Sequence, residues 1–226
     1  MRYNSRGVIE NDSCGVIKIA NSFEAPPYMT TKVLLEDAFV GYQGNNLYNC
    51  NDAPYRTFKI HKQTTVEKML DLLSKSFKYP RNQMRVWPFV SRSQFTYNHE
   101  DTPWRPSMLN LEMQLNRVVF DASENRDPWI VFLELLPPDS DRIELPLFQK
   151  PDDVLMFFKM YDPKEKRVHY CGHSYLNVNS NLADIVPLLN KRAGFPLNTE
   201  LELYEEMMPY VVEKIQHPNL PVSRVS

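Results

Sequence analysis

The chain has 226 residues, 42% hydrophobic and 24% charged, an ordinary globular composition with length for one large domain or two of about 100 residues. Its 26 basic and 28 acidic residues give a formal charge of −2, and no basic stripe with interleaved aromatics points to nucleic acid as a partner. Three cysteines, Cys14, Cys50 and Cys171, fit a reducing intracellular compartment better than a disulfide framework. No apolar run approaches the roughly 18 residues of a membrane span, so we expect a soluble protein without membrane contact.

The first half of the chain predicts two strands, a helix and two further strands. The strands are predicted from β-branched and apolar residues at 28–40, 55–62, 83–90 and 128–136. The helix lies in "TTVEKMLDLLSKSFKYP", where Thr64 and Glu67 have capping-box spacing and Pro80 ends the helical pattern. Trp87 and Trp129 lie in predicted strands, so we expect both in the core.

The second half of the chain repeats this plan. Strands are predicted at 154–161, 168–178 and 200–207, and Gly172 marks a bulge or bend in the second of them. The helix in "SNLADIVPLLNKRAGFP" has Asn181 as a candidate cap and Gly194 at its left-handed end. Pro187 lies inside it, where we expect a kink or a short first turn.

A hairpin, a helix packed across it and further strands form the order of the β-grasp fold, the fold of ubiquitin. The sequence therefore predicts an α+β protein made of two tandem ubiquitin-like β-grasp domains. Between them, "PPDSDRIELPLFQKP" at 137–151 contains four prolines and is expected to be a short, stiff linker.

The stretch "RVHYCGHSY" places His169, Cys171 and His173 at alternate positions of a predicted strand, where all three could share one face. Zinc requires four tetrahedral ligands, and Cys14 and Cys50 lie in unrelated contexts, so we predict no metal site and no cofactor. Cys171 and His173 stand about 7 Å apart along a strand, too far for a catalytic pair that needs contact of roughly 3 Å. We expect Cys171 to be a small buried apolar residue.

Short stretches spread in order over residues 28–216 resemble a known family. They are "GNNLY", "FKI", "RVWPF", "DPWIVFLE", "FKMYDPK", "YCGH", "DIVP", "RAGF" and "LYEE". In these stretches the chain is similar to the tandem ubiquitin-like domains that follow the catalytic domain in the herpesvirus-associated ubiquitin-specific protease family. Many ordered matches over most of the chain make this resemblance specific, although no single match would be.

The resemblance implies a docking platform that carries no catalysis itself. In that family, acidic residues of the second domain accept short peptides with spaced lysines. The principal acidic loop of that docking site is absent from this sequence, and Glu202, Glu205 and Glu206 are candidates for a remnant of the acidic surface. An ordinary solvated face of charge is the competing interpretation. Glu200 and Glu202 are expected on one face of the predicted strand. The parent enzymes are thiol proteases that remove ubiquitin, so ubiquitin is expected as a partner only through a full-length parent, and the implied location is the nucleus, with the cytoplasm as a second compartment.

Both ends of the chain depart from the family. Residues 1–27 do not resemble the charged helix that precedes the first domain, and we predict a divergent, disordered segment there. After "EKIQ" at 213–216, the family continues into an acidic loop and a last strand, whereas this chain runs "HPNLPVSRVS". The resulting domains are 28–136 and 152–226, and the second is expected to lack its last strand.

Three functional hypotheses follow. The first is a non-catalytic interaction module of a deubiquitinase that docks lysine-rich motifs of substrates and regulators. The second is a fragment or isoform of a ubiquitin-specific cysteine protease whose hydrolase activity this chain cannot itself perform. The third is an inactive, incompletely folded second module, since an incomplete sheet exposes an edge.

Overall fold

A computed structural model describes residues 27–41, 55–88, 111, 114–115, 128–149, 151–208 and 211–222. The predicted disordered segment, apart from Pro27, lies outside these residues, as do Cys14 and Cys50. None of the described helices combines the length and apolarity needed to cross a membrane.

The first half of the chain forms a four-stranded mixed sheet with one helix. Its elements are β1 (Tyr28–Leu34), β2 (Arg56–His61), α1 (Val66–Phe77), β3 (Met84–Pro88) and β4 (Trp129–Leu135). The strand order is β2-β1-β4-β3, in which β1 and β4 run parallel and the other two pairs run antiparallel. A hairpin, a helix and a parallel pair of strands at the centre of the sheet match the predicted α+β, ubiquitin-like order in this half.

Helix α1 begins one residue later than predicted. The side chain of Thr65 accepts a hydrogen bond from the Lys68 N–H at 3.3 Å and so caps the helix. Thr64 lies one residue before the cap position, and its N–H closes a turn onto the His61 carbonyl at 2.9 Å. The helix ends at Lys78, which has a left-handed backbone with φ of 58°. Its buried face carries Val66, Met69, Leu70 and Leu73.

The predicted strand at 28–40 ends earlier, at Leu34. Residues Glu36–Phe39 instead form a 3-10 turn, which buries Phe39 completely and leaves Glu36 beside the second half of the chain. The strand prediction was wrong for these residues because their hydrophobicity reflects burial in a turn rather than a pleated strand.

Strand β4 is apolar on both faces because both faces of the sheet are covered. Trp129 and Leu133 pack against α1 in one hydrophobic cluster, while Phe132 and Trp87 belong to a second cluster on the opposite face. Strand alternation places Glu134 on the same face as Phe132. Trp87 and Trp129 are 0% and 1% exposed, so both are core residues as predicted.

The second half of the chain contains two hairpins and a helix. Its elements are β5 (Asp153–Asp162), β6 (Arg167–Asn177), a 3-10 turn (Leu182–Ile185), α2 (Val186–Ala193), β7 (Tyr204–Met208) and β8 (Val211–Lys214). Strands β5 and β6 pair antiparallel, and so do β7 and β8. A third hydrophobic cluster lies under the 3-10 turn and includes Val154, Phe158, Leu176 and Ile185.

Helix α2 follows the predicted pattern at its two ends only in part. Pro187 lies in the first turn of α2 and follows the separate 3-10 turn Leu182–Ile185. That 3-10 turn is the short first turn that the sequence predicted. Gly194 ends the helix with φ of 75°, as predicted. Asn181 occupies the cap position of the 3-10 turn but makes no side-chain capping bond. The strand predicted at 200–207 begins only at Tyr204, and β8 was not predicted.

The segment at 217–222 packs against the 3-10 turn Leu182–Ile185 and the residues before it. The Val222 N–H donates to the Ser180 carbonyl at 3.0 Å, and Val222 is only 3% exposed in the third cluster. Among the described residues, β5 pairs with β6 alone. The missing last strand of the second domain stays a prediction.

The predicted linker is largely exposed but is anchored by two buried side chains. Leu145 and Phe148 are 8% and 7% exposed, and the Leu145 N–H donates to the Asn82 carbonyl at 3.1 Å. Phe148 joins Trp87 and Leu155 in the second hydrophobic cluster, which therefore contains residues from both halves of the chain. The division into domains at 136 and 152 remains a prediction.

Candidate functional site

The acidic residues singled out in the sequence lie at the β7–β8 hairpin, where two of them already bind lysines of the same chain. The Lys159 ammonium donates to Glu206 Oε2 at 2.7 Å, and both side chains are mostly buried. The Lys214 ammonium binds Glu202, which also accepts a hydrogen bond from the Tyr204 hydroxyl at 2.8 Å. Hydrogen bonds from Lys214 and Tyr204 lower the pKa of Glu202.

The three predicted glutamates do not converge on one point. Glu205 and Glu206 are neighbours in β7, so strand alternation directs them to opposite faces. Glu202 precedes the strand, so the prediction that Glu200 and Glu202 share one strand face was wrong. In register, Glu205 lies opposite Glu213 of β8 and adds negative charge to the other face.

This arrangement can hold ammonium groups. An exposed ion pair contributes only about 0–1 kcal/mol, so little ion-pair energy is lost when Lys214 gives way to a lysine of a second molecule. The hairpin can therefore act as a weak, salt-sensitive acidic surface.

A bulge at Gly172 interrupts strand β6. It prevents His169, Cys171 and His173 from sharing one face, as the sequence had led us to expect. Two residues of β6 there oppose one residue of β5, and Gly172 has φ of 91°. Cys171 packs with the third cluster, whereas the His173 ring lies 5.3 Å from the Phe132 ring in the second. The face prediction was wrong because an extra residue reverses the alternation.

Arg192 of α2 supports this bulge. Its guanidinium donates to the Cys171 carbonyl at 3.1 Å and to the His173 carbonyl at 2.8 Å. These two carbonyls flank Gly172, where the ladder between β5 and β6 is interrupted. A Cβ on Gly172 would stand 2.5 Å from Arg192 Nη1, so the guanidinium occupies the space that glycine leaves.

Cys171 and His169 have separate surroundings. Cys171 is half-buried rather than fully buried, and burial raises the pKa of its thiol. His169 is more exposed and its Nε2 lies 3.7 Å from Glu165 Oε2. Donor atoms of Asp162, Glu165 and His169 lie within 4.8 Å of one another where β5 turns into β6, three donors where structural zinc takes four.

His173 lies between two carboxylates where the β5–β6 hairpin meets the first sheet. Its Nδ1 is 3.1 Å from Glu36 Oε1 and its Nε2 is 3.3 Å from Glu134 Oε1. The His173 side chain is 13% exposed and that of Glu134 is 4% exposed. Both ring nitrogens of one histidine thus face acidic oxygens.

Further donors surround these carboxylates. Glu134 accepts hydrogen bonds from Trp87 Nε1 at 2.7 Å and from the Tyr175 hydroxyl. Glu36 accepts from the Tyr170 hydroxyl at 3.1 Å. The Arg85 guanidinium donates to the Tyr175 oxygen and, at 2.9 Å, to the Pro146 carbonyl of the predicted linker. The group therefore connects β3, β4, β6 and the linker.

Opposing effects set the charges of this group. Burial alone would lower the pKa of His173, but hydrogen bonds to Glu134 and Glu36 outweigh it and raise that pKa to about 9. Burial acts to raise the pKa of Glu36 and of Glu134, yet hydrogen bonds from His173 bring both below their usual value. We therefore assign an imidazolium between two carboxylates at neutral pH.

No local sequence pattern reveals this group, because its members are far apart in the chain. Glu36 and Glu134 each precede His173 by more than thirty positions, and no local motif joins them. One signal was available: Glu134 is the single charged residue in "WIVFLEL". A carboxylate in a strand covered on both faces requires a buried partner.

More than half of the chain matches a known protein family. Residues 84–224 match a protein-family model described as the ICP0-binding domain of ubiquitin-specific protease 7. The matched segment includes β3, β4, both hairpins of the second half and helix α2.

Curated relatives match most of the chain. Ubiquitin carboxyl-terminal hydrolase 7 of Drosophila melanogaster is 29% identical over 199 residues, which are 88% of this chain and 16% of that protein. Ubiquitin C-terminal hydrolase 13 of Arabidopsis thaliana is 32% identical over 188 residues, 81% of this chain and 16% of that protein. The chain thus spans about one sixth of the length of these relatives. Among solved structures, the C-terminal ubiquitin-like domain of mouse tubulin-specific chaperone e covers 53% of this chain and 98% of its own at 16% identity, with a TM-score of 0.33.

Proposed function

This chain belongs to the family of ICP0-binding domains of ubiquitin-specific protease 7, and we propose that it is a non-catalytic interaction region of a deubiquitinase that docks short lysine-rich motifs of partner proteins. The main support is the family match, which covers more than half of the chain. The chain spans 16% of its first two relatives, so ubiquitin hydrolysis is proposed only for a longer parent protein. The nuclear location implied by the family resemblance is part of the same proposal.

We place the docking surface at the β7–β8 hairpin. The Glu206 and Glu202 carboxylates there already bind lysine ammonium groups within the chain. Glu205 and Glu213 add two more negative charges to the hairpin. Lysines of a partner peptide compete with Lys214 for the more exposed of these carboxylates.

Such docking is expected to be weak and sensitive to salt. Each exposed ion pair contributes about 0–1 kcal/mol, and counter-ions screen it. Lys214 and Glu202 are 44% and 64% exposed, so this pair opens readily. The Lys159–Glu206 pair is 18% and 23% exposed and is harder to displace. Glu202 is thus the first contact we expect for an incoming lysine.

The test is fluorescence anisotropy of a labelled peptide that carries several lysines, titrated with the full chain at low salt. We expect binding that weakens at high salt and with Glu202→Gln and Glu206→Gln together. Asp141→Asn with Glu144→Gln is the matched control, because it removes the same charge from exposed positions in the predicted linker. Equal loss in both double variants, or no binding to the original chain, would reject the docking surface.

A further inference from the structure

The strongest unassigned feature of the described residues is the buried ionic group around His173. We propose that His173 is a charged brace that fixes the β5–β6 hairpin on the first sheet, donating one ring N–H to a carboxylate on each side of it. The proposal concerns how the two halves of the chain are held together and does not depend on the docking function.

Hydrogen-bond geometry supports a doubly protonated ring. An ionised carboxylate can only accept hydrogen bonds, and a neutral imidazole has only one N–H to donate. His173 Nδ1 and Nε2 lie 3.1 Å from Glu36 and 3.3 Å from Glu134. A neutral ring would therefore direct a lone pair at one of the two carboxylates. Protonating both nitrogens satisfies both contacts at once.

Every element around His173 contributes polar or charged groups to this site. Glu36 comes from the turn after β1 and Glu134 from β4. The charged and titratable groups that complete the surroundings are Arg85 of β3, Tyr170 and Tyr175 of β6, and Arg192 of α2. Arg85 and Arg192 donate to Tyr175, Pro146 and backbone carbonyls, and Arg85 also lies 4.0 Å from Glu134. The His173 nitrogens lie closer to the two carboxylates, at 3.1 and 3.3 Å.

Apolar packing alone does not define the orientation of this contact. Phe39, Phe132 and Phe157 pack together across it with ring centroids 5.1 to 5.8 Å apart. Apolar contact is non-directional, whereas two hydrogen bonds from one planar ring permit few relative positions. The aromatic cluster stabilises the contact, and the two hydrogen bonds of His173 fix the position of the hairpin relative to the sheet.

The backbone is shaped to place this ring. Without the bulge at Gly172, strand alternation would direct His173 to the face of Cys171 and the third cluster. The bulge turns it to the first sheet, and Arg192 holds the two flanking carbonyls. Gly172, Arg192 and His173 thus act as one unit, in which the first two are positioning residues.

The first test is a double-mutant cycle of unfolding by urea, using His173→Gln, Glu36→Gln and the double variant in the full chain. Glutamine keeps a polar group of similar length but carries no charge. We expect His173→Gln to lower the unfolding midpoint at pH 7, because it removes the cation that both carboxylates share and leaves Glu134 with only the longer ionic contact to Arg85, at 4.0 Å. Adding Glu36→Gln should restore part of this loss. His169→Gln is the matched control, since His169 is exposed on the same strand and should leave the midpoint unchanged.

A second readout separates charge from shape. The destabilisation by His173→Gln should shrink at pH 10.5, where the original ring is neutral as well. Additive losses in the cycle, or a loss that is the same at pH 7 and pH 10.5, would overturn the brace.

A measurement on the unmodified chain covers the case in which His173→Gln does not fold. The ring protons of His173 are followed by NMR between pH 5 and pH 10.5. We expect His173 to keep both ring protons well above pH 6.5, the ordinary pKa of a histidine. If His173 loses one of them at or below pH 6.5, the ring is neutral at the contact and the proposal fails.

Discussion

Glu134, in the central region of the first sheet, accepts a hydrogen bond at 3.3 Å from His173 on the β5–β6 hairpin. The two residues belong to different halves of the chain, and both are largely withdrawn from water. A buried carboxylate is stable only with hydrogen-bond donors and a compensating charge, and His173 supplies both. The two halves therefore meet through a specific ionic contact as well as an apolar one.

The stability of the chain should depend on pH in a defined direction. The pKa of His173 is raised to about 9 from 6.5, so its contribution is complete below pH 6.5 and is lost as the pH rises through 9. The pKa values of Glu36 and Glu134 are lowered, so their contribution is present above pH 4.5 and is lost as the pH falls through their folded values.

Urea unfolding at pH 5.5, 7 and 9.5 measures this dependence. We expect the free energy of unfolding to be highest near pH 5.5 and to fall by at most about 3 kcal/mol toward pH 9.5 because of His173. His173→Gln should flatten the alkaline side of the profile. A profile that rises between pH 7 and pH 9.5 would show that His173 is neutral at pH 7.

Replacing Gly172 by alanine should destabilise the chain more than the same change at Gly194. Both glycines have positive φ, 91° and 75°, so both substitutions introduce backbone strain of roughly 1 kcal/mol. Only at Gly172 does the new Cβ meet a neighbour, Arg192 Nη1 at 2.5 Å, whereas no atom lies within 4 Å of it at Gly194.

The comparison is made by thermal unfolding of Gly172→Ala and Gly194→Ala. An excess loss for Gly172→Ala of about 1 kcal/mol or more is expected from displacement of the guanidinium. Arg192→Ala should remove that excess when combined with Gly172→Ala. Equal losses at the two glycines would mean that Arg192 yields freely and does not support the bulge.

Lys214→Gln should strengthen the proposed docking of lysine-rich peptides. This lysine pairs with Glu202 at the exposed surface and competes with any incoming ammonium group. Removing it should tighten peptide binding roughly two- to fivefold, which corresponds to one exposed ion pair. The measurement is peptide anisotropy at low salt, with Lys164→Gln on the β5–β6 turn as the control. Weaker or unchanged binding in Lys214→Gln would argue against Glu202 as a contact.

The chain by itself should not hydrolyse a ubiquitin–fluorophore conjugate. Cys171 and His173 lie on opposite faces of β6, and burial raises the pKa of the Cys171 thiol, which opposes formation of the reactive thiolate. Fluorescence release should stay at the level of buffer, and Cys171→Ala should change nothing. Hydrolysis that disappears in Cys171→Ala would contradict the non-catalytic assignment.

Local patterns predicted the elements whose determinants are close in sequence. The two helices, the strands of the first sheet and the β5–β6 hairpin follow from hydrophobic period and, for the end of α2, from Gly194. The predictions fail where a residue is buried by something other than a regular strand or helix. Phe39 is buried in a 3-10 turn, and the segment around Val222 is held by a backbone hydrogen bond to Ser180.

The ionic group could not be predicted because it depends on tertiary structure. The face of His173 is set by one extra residue at the bulge, and the sequence around Gly172 indicates a bend without giving its direction. The sequence singled out Glu202 and Glu206 as charged residues, but their partners Lys214 and Lys159 lie on other strands. Charge patterns in the sequence identify candidate residues, but only the folded structure shows which opposite charge lies beside each of them.

The docking surface is tested most directly by NMR chemical-shift mapping of the full chain with a lysine-rich peptide. The account predicts backbone shifts concentrated at residues 202–206 and 212–214, and none with a peptide in which glutamines replace the lysines. Shifts centred on the first sheet, or equal shifts with the glutamine peptide, would contradict it.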